Sequence, residues 1–155
     1  MKITIGGPPG SGTTTSARLI ERNLGFKHIY AGLIFRELAE ERGMNLEEFS
    51  KHAEDDGDID NLVDKRQKEL SGKYGKCIVE GRMAAYFVNA DLKIWLTAPF
   101  DARAERIANR EKKSLEESKK GIKMRERSEK KRYKKFYGID IDDLSVYDLI
   151  VNTDK

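Results

Sequence analysis

The stretch Gly6-Gly7-Pro8-Pro9-Gly10-Ser11-Gly12-Thr13-Thr14-Thr15 directly follows the strand-like run Lys2-Ile3-Thr4-Ile5 and opens an amphipathic helix carrying Ala17, Ile20 and Leu24. Strand, glycine-rich turn and helix in that order are the setting of a phosphate-binding loop. Glycines let the backbone curl so that consecutive amide N–H groups point inward, and the helix N-terminus adds partial positive charge. The expected cradle consists of Gly7, Pro8, Pro9, Gly10, Ser11, Gly12, Thr13, Thr14 and Thr15. Thr14 takes the place of the hydroxyl that binds Mg²⁺ beside the β and γ phosphates of a nucleoside triphosphate. Where the motif calls for Lys, the chain has Thr13. A cation from elsewhere must replace that ammonium if the loop is catalytic.

Outward from the loop, short apolar runs recur at Lys2 to Ile5, Lys27 to Tyr30, Cys77 to Val79, Leu92 to Leu96 and Leu149 to Val151. Their near-continuous hydrophobicity predicts strands buried on both faces of a parallel sheet. Helical periodicity fills the gaps, with Ile34, Phe35 and Leu38; Leu46, Phe49 and Ala53; Ile59, Leu62, Val63 and Leu70; and Phe100, Ala104 and Ile107. Alternation of the two patterns predicts βαβ units. Asn45 with Glu48, and Ser114 with Glu117, have the reciprocal capping spacing, and the second pair starts a long helix over Leu115 to Tyr137. The expected fold is α/β, a five-stranded parallel sheet flanked by helices, in one domain over 1–155. A helical excursion at about 33–71 and a lid at about 103–132 complete it.

The chain has 155 residues, 38% hydrophobic and 37% charged, with three Pro and a net charge of +3. That composition folds, and no apolar run reaches the 18 residues of a membrane span. The chain enters at once on Lys2-Ile3-Thr4-Ile5 rather than on a basic, then apolar, then small-residue leader, and a cytoplasmic location is the expectation. The single cysteine, Cys77, lies in a strand pattern and reads as a buried small hydrophobe. Between Lys119 and Lys135 there are ten Lys or Arg against two Glu. Such a block reads as a solvated helix face, a polyphosphate-binding surface or a nucleic-acid footprint.

Side chains with chemistry gather where the strands end. Glu80-Gly81-Arg82 follows the third strand, and ligands of open parallel sheets sit beyond such carboxyl ends. Glu80 can hold Mg²⁺ or its water shell, and Arg82 can clamp a phosphate; a surface ion pair is the alternative. Arg36 falls where an acceptor phosphate could be gripped. Arg66, on an otherwise apolar stripe, either snorkels to the rim or faces a ligand. Arg103, Arg106 and Arg110 share one helix face, and Arg125, Glu129 and Arg132 share another with Ile122 and Phe136. Two arginine rows flanking a short connection predict a lid that neutralises a transferring phosphoryl group.

These residues resemble nucleoside monophosphate kinases, and among them the short archaeal type of cytidylate kinase. The likeness runs from Gly7 to Thr15 through Tyr30-Ala31-Gly32, Ile34-Phe35-Arg36-Glu37-Leu38 and Glu80-Gly81-Arg82. It continues to Leu92-Lys93-Ile94-Trp95-Leu96, Arg103 to Ile107, Arg132-Tyr133-Lys134 and Tyr137 to Asp140. The resemblance implies transfer of the γ-phosphate of ATP to CMP or dCMP with Mg²⁺. It implies Arg36, Arg82 and Arg132 around the acceptor phosphate, and Arg125 and Glu129 near the ribose. Bacterial relatives place Asp after the Gly-Arg pair, where this chain has Met83, and Ser50 and Asp60 are the substitutes for reading the base. Small nucleotides are the expected partners of a monomer, without nucleic acid or membrane. A kinase for another acceptor and a nucleic-acid-binding module are the rivals, the second separable by its steep salt dependence.

Overall fold

The computed structural model describes residues 1–154. Strands β1 (Lys2–Gly6), β2 (Lys27–Tyr30), β3 (Cys77–Glu80), β4 (Leu92–Thr97) and β5 (Leu149–Asn152) form one sheet in the order β2-β3-β1-β4-β5. Every pairing is parallel. The helices are α1 (Thr13–Leu24), α2 (Ala31–Glu41), α3 (Leu46–Asp55), α4 (Gly57–Lys73), α5 (Ala84–Phe87), α6 (Phe100–Glu111) and α7 (Leu115–Tyr137). All five strand segments and the long helix α7 lie where their sequence patterns predict. The four-residue α5 carries too little periodicity to be foreseen.

Period-two alternation sorts the central strands between two cores. Ile3, Ile5 and Ile78 pack with Ala17 of α1 on one face. Cys77 and Val79 turn to the other face, against Ile34, Phe49, Ile59 and Val63 from the three helices between β2 and β3. Cys77 is fully buried, as expected, and burial pushes its thiol pKa up. Both predicted capping boxes form, at Asn45 with Glu48 and at Ser114 with Glu117. Gly138 ends α7 in the left-handed region at φ 67°, its N–H reaching the Lys134 carbonyl.

Three expectations about burial are corrected. β5 is not buried on both faces: it is an edge strand, and Leu149 and Ile150 are exposed. Leu62 also lies outward, at 39% exposure, because α4 turns Ile59, Val63 and Gln67 inward instead. Leu24 and Leu46, at helix ends, are likewise exposed.

Register positions the site. Ile5 pairs with Glu80, and Tyr30 also pairs with Glu80, so β1, β2 and β3 finish level with one another. The chain leaves β1 for β2, returns to β3 between them, and then crosses to β4 on the far side. That reversal opens a crevice at the carboxyl end of β1, the place for a ligand in such a sheet.

Phe49 anchors the excursion: it is wholly buried, and its ring centroid lies 4.7 Å from that of Phe35. Phe49→Ala is expected to cost about 3–5 kcal/mol in chemical denaturation. Leu62→Ala, by contrast, should cost under about 1 kcal/mol. Equal losses would contradict the corrected assignment of the two positions.

Candidate active site

The loop between β1 and α1 is shaped by sterics. A Cβ on Gly7 would sit 2.4 Å from Ser11 Oγ and 2.5 Å from the Leu96 carbonyl oxygen, so no larger residue fits. Gly10 and Gly12 have φ of 84° and 91°, which only glycine adopts freely. Gly12 caps α1 without offering a side chain, so the first-turn N–H groups remain directed outward for an anion.

Glu80 lies beneath this cradle. Its Oε1 accepts hydrogen bonds from Thr13 Oγ1 at 2.8 Å and Thr14 Oγ1 at 2.7 Å. Its Oε2 lies 2.8 Å from His28 Nε2, and its backbone carbonyl accepts from Gln67 Nε2 at 3.0 Å. Thr14 and Glu80 therefore present adjacent hard oxygen donors beside a phosphate cradle. This donor set fits Mg²⁺, which takes one or two protein oxygens and leaves its other positions to phosphate and water.

A cleft of about 910 Å³ runs from the loop to α4 and α7, bordered by Thr13, Thr14, Arg36, Ser50, Asp60 and Arg82. Along its floor charges alternate. Arg82 Nε lies 2.8 Å from Glu129 Oε2, and Arg125 Nε donates to Glu129 Oε1 at 2.8 Å. Burial would raise the Glu129 pKa, but Arg82, Arg125 and Arg132 outweigh it and hold the carboxyl below its usual range. Arg132 Nε donates to Asp60 Oδ2 at 2.8 Å. Burial pushes the Asp60 pKa up against the opposing pull of that guanidinium. One turn along α4, Asp64 accepts from the Tyr137 hydroxyl at 2.8 Å, and burial brings its pKa to about 7.

The arginine rows do not simply oppose each other across an open lid. Arg103 is buried: Nε donates to the Ala98 carbonyl at 3.1 Å, and Nη1 donates to the Pro9 carbonyl at 3.0 Å and to Glu126 of α7 at 2.8 Å. Arg106 Nη1 donates to the Gly10 carbonyl at 3.3 Å and to Thr153 Oγ1 at 3.0 Å. Thr153 Oγ1 in turn donates to the Ser11 carbonyl at 2.8 Å. These contacts occupy loop carbonyls, which favours the inward direction of the amides. Arg110 and Arg125 border the cleft with side chains 63% and 60% exposed.

Other sequence-predicted positions divide similarly. Arg66 reaches the rim and lies 3.7 Å from Glu41, with its side chain exposed. Met83, standing where bacterial relatives have Asp, is buried with Tyr133 and Ile141. Within the basic run, Lys119 meets Asp101, Lys130 meets Asp142 and Lys131 meets Glu54, while Arg132 turns inward. His28, Gln67, Asp64 and Thr153 were missed as site residues. A His inside an apolar strand and a Gln on an apolar helix face were their only sequence signals.

The family model described as cytidylate kinase-like matches residues 2–155. A cytidylate kinase of Methanopyrus kandleri is 54% identical over 99% of this chain and 84% of its own length. The cytidylate kinase of Methanothermobacter thermautotrophicus is 48% identical, over 100% of this chain and 96% of its own. Among solved structures, shikimate kinase from Bacteroides thetaiotaomicron superposes with a TM-score of 0.61 at 17% identity, covering 98% of this chain and 85% of that one. That likeness carries the fold alone, and the sequence matches carry the rest: the chain belongs to the cytidylate kinase-like family.

Proposed function

We propose that this chain transfers the γ-phosphate of ATP to CMP or dCMP, giving ADP and the diphosphate, with Mg²⁺ and in the cytoplasm. The observation that carries the reading is a single cleft holding a phosphate cradle at one end and arginines with a carboxylate-lined pocket at the other. Both substrates of a phosphotransferase can therefore meet there without crossing solvent.

The loop amides and the α1 N-terminus receive the ATP phosphates. Thr14 and Glu80 would hold Mg²⁺ or its water shell, which supplies charge neutralisation at the β and γ phosphates. Arg36 and Arg82 receive the acceptor phosphate; Arg82 is held by Glu129, so its direction is set before substrate arrives. Arg125 and Glu129 lie toward the ribose. Ser50 and Asp60 offer groups for the base edge, while Arg132, paired with Asp60, stands with Arg36 and Arg82 around the acceptor phosphate. Arg103 and Arg106 steady the loop, while Arg110 and Arg125 are the lid groups with exposed guanidinium stems beside the cleft. Positioning and charge neutralisation do the work, so no general base is assigned.

An ADP-release assay with ATP, Mg²⁺ and a panel of nucleoside monophosphates tests the reading. CMP and dCMP should be the best acceptors; faster turnover of AMP or GMP would contradict it. Arg82→Gln should lower catalytic efficiency toward CMP about 30- to 150-fold, the effect of losing about 2–3 kcal/mol of charge-assisted bonding. Its ATP affinity should remain near that of the parent. Weakened ATP binding with unchanged CMP dependence would move Arg82 to the donor side.

A further inference from the structure

Strand β2 places His28 against the metal-proximal carboxylate. His28 pairs with Ile78 in register and Tyr30 pairs with Glu80, so the side chains of His28, Ile78 and Glu80 share the sheet face covered by α1. Residue His28 is held by its ring and by its backbone. The imidazole stacks on Tyr30 with centroids 5.9 Å apart and planes at 20°, and the His28 backbone N–H donates to Glu21 Oε1 of α1 at 3.2 Å. The side chains of His28 and Glu80 are only 9% and 4% exposed, so water cannot readily substitute for either.

The two oxygens of Glu80 are divided between partners. Oε1 takes both threonine hydroxyls, while Oε2 is served by His28 Nε2. A carboxylate accepts only, so the bond to an ionised Glu80 requires the proton to be on Nε2. Removing that donor would leave a buried carboxylate oxygen without a partner, and rotation to seek another would carry Oε1 away from Thr14. Thr14 would then lose the acceptor that orients its O–H, and with it the direction of its lone pairs.

We propose that His28 is a positioning residue of the ATP–Mg²⁺ site, fixing Glu80 so that the Thr14 hydroxyl directs its lone pairs toward the phosphate cradle. This rests on the kinase reading above. It adds a third element, β2, to a site that the loop and the end of β3 otherwise define. Groups that orient metal-proximal side chains commonly govern affinity or activity by about 10- to 100-fold.

The test compares His28→Gln, His28→Asn and His28→Phe in the full chain. The Gln amide reaches as far as Nε2, the Asn amide falls short, and Phe keeps the ring without a donor. Calorimetry measures the affinity for a non-hydrolysable ATP analogue with and without Mg²⁺, and thermal unfolding is followed for each variant. Asn and Phe are expected to reduce the Mg²⁺-dependent gain in affinity about tenfold or more, with metal-free affinity and CMP affinity unchanged. Gln should restore the gain to within about threefold of the parent. If Asn and Phe keep the full gain, or if Gln is as impaired as both, the proposal is overturned. A parent chain whose ATP affinity does not respond to Mg²⁺ would instead contradict the kinase reading itself.

Discussion

The Glu80 carboxylate joins the parts of the proposed phosphate site. Through Oε1 it gathers the Thr13 and Thr14 hydroxyls of α1, through Oε2 it meets His28 of β2, and its carbonyl receives Gln67 of α4. Burying a carboxylate is costly unless its oxygens are satisfied, and here each has protein partners. The parallel register makes this possible by ending β1, β2 and β3 at one level. Displacing Glu80 would therefore loosen the cradle, the strand ends and the packing of α4 together.

A second set of paired charges borders the other end of the cleft, where the proposed acceptor binds. Glu129 lies between Arg82 and Arg125, and Asp60 is matched by Arg132. Pairing offsets the desolvation cost of holding these charges in the cleft. It also fixes their directions, so less reorganisation is needed when a phosphate arrives. The lid helices contribute differently along their length: Arg103 and Arg106 are tied to loop carbonyls, whereas Arg110 and Arg125 retain exposure beside the cleft.

Much of this architecture was legible in the chain because local signals agreed with one another. Contiguous apolar runs placed the five strands, and Asn45, Glu48, Ser114 and Glu117 marked two helix starts. The loop glycines had a backbone reason to be where they are, which a strand before and a helix after made readable. Burial at the margins was less legible: periodicity could not tell that Leu62 faces outward or that β5 forms a sheet edge. Pairings between residues distant in the chain were hidden for the same reason, even where the residues themselves, such as Asp60 and Arg132, stood out. His28 meets Glu80 across 52 positions and Arg132 meets Asp60 across 72, and no local pattern encodes such pairings. The arginine spacing showed shared helix faces but not that two of those arginines would turn to the loop backbone.

With Thr13 in place of the motif lysine, the proposed transfer depends on cations from outside the loop. Backbone amides and a helix terminus supply partial charges only, so the proposed reaction calls for an arginine from α6 or α7 as charge shifts in the transition state. The most direct measurement is a crystal structure of the chain with ADP, Mg²⁺, CMP and aluminium fluoride as a mimic of that group. A guanidinium from Arg103, Arg106, Arg110, Arg125 or Arg132 is expected in hydrogen-bond contact with the fluoride, with Arg36 and Arg82 on the CMP phosphate. A mimic surrounded only by loop amides and the metal, with none of those five arginines in contact, would contradict it.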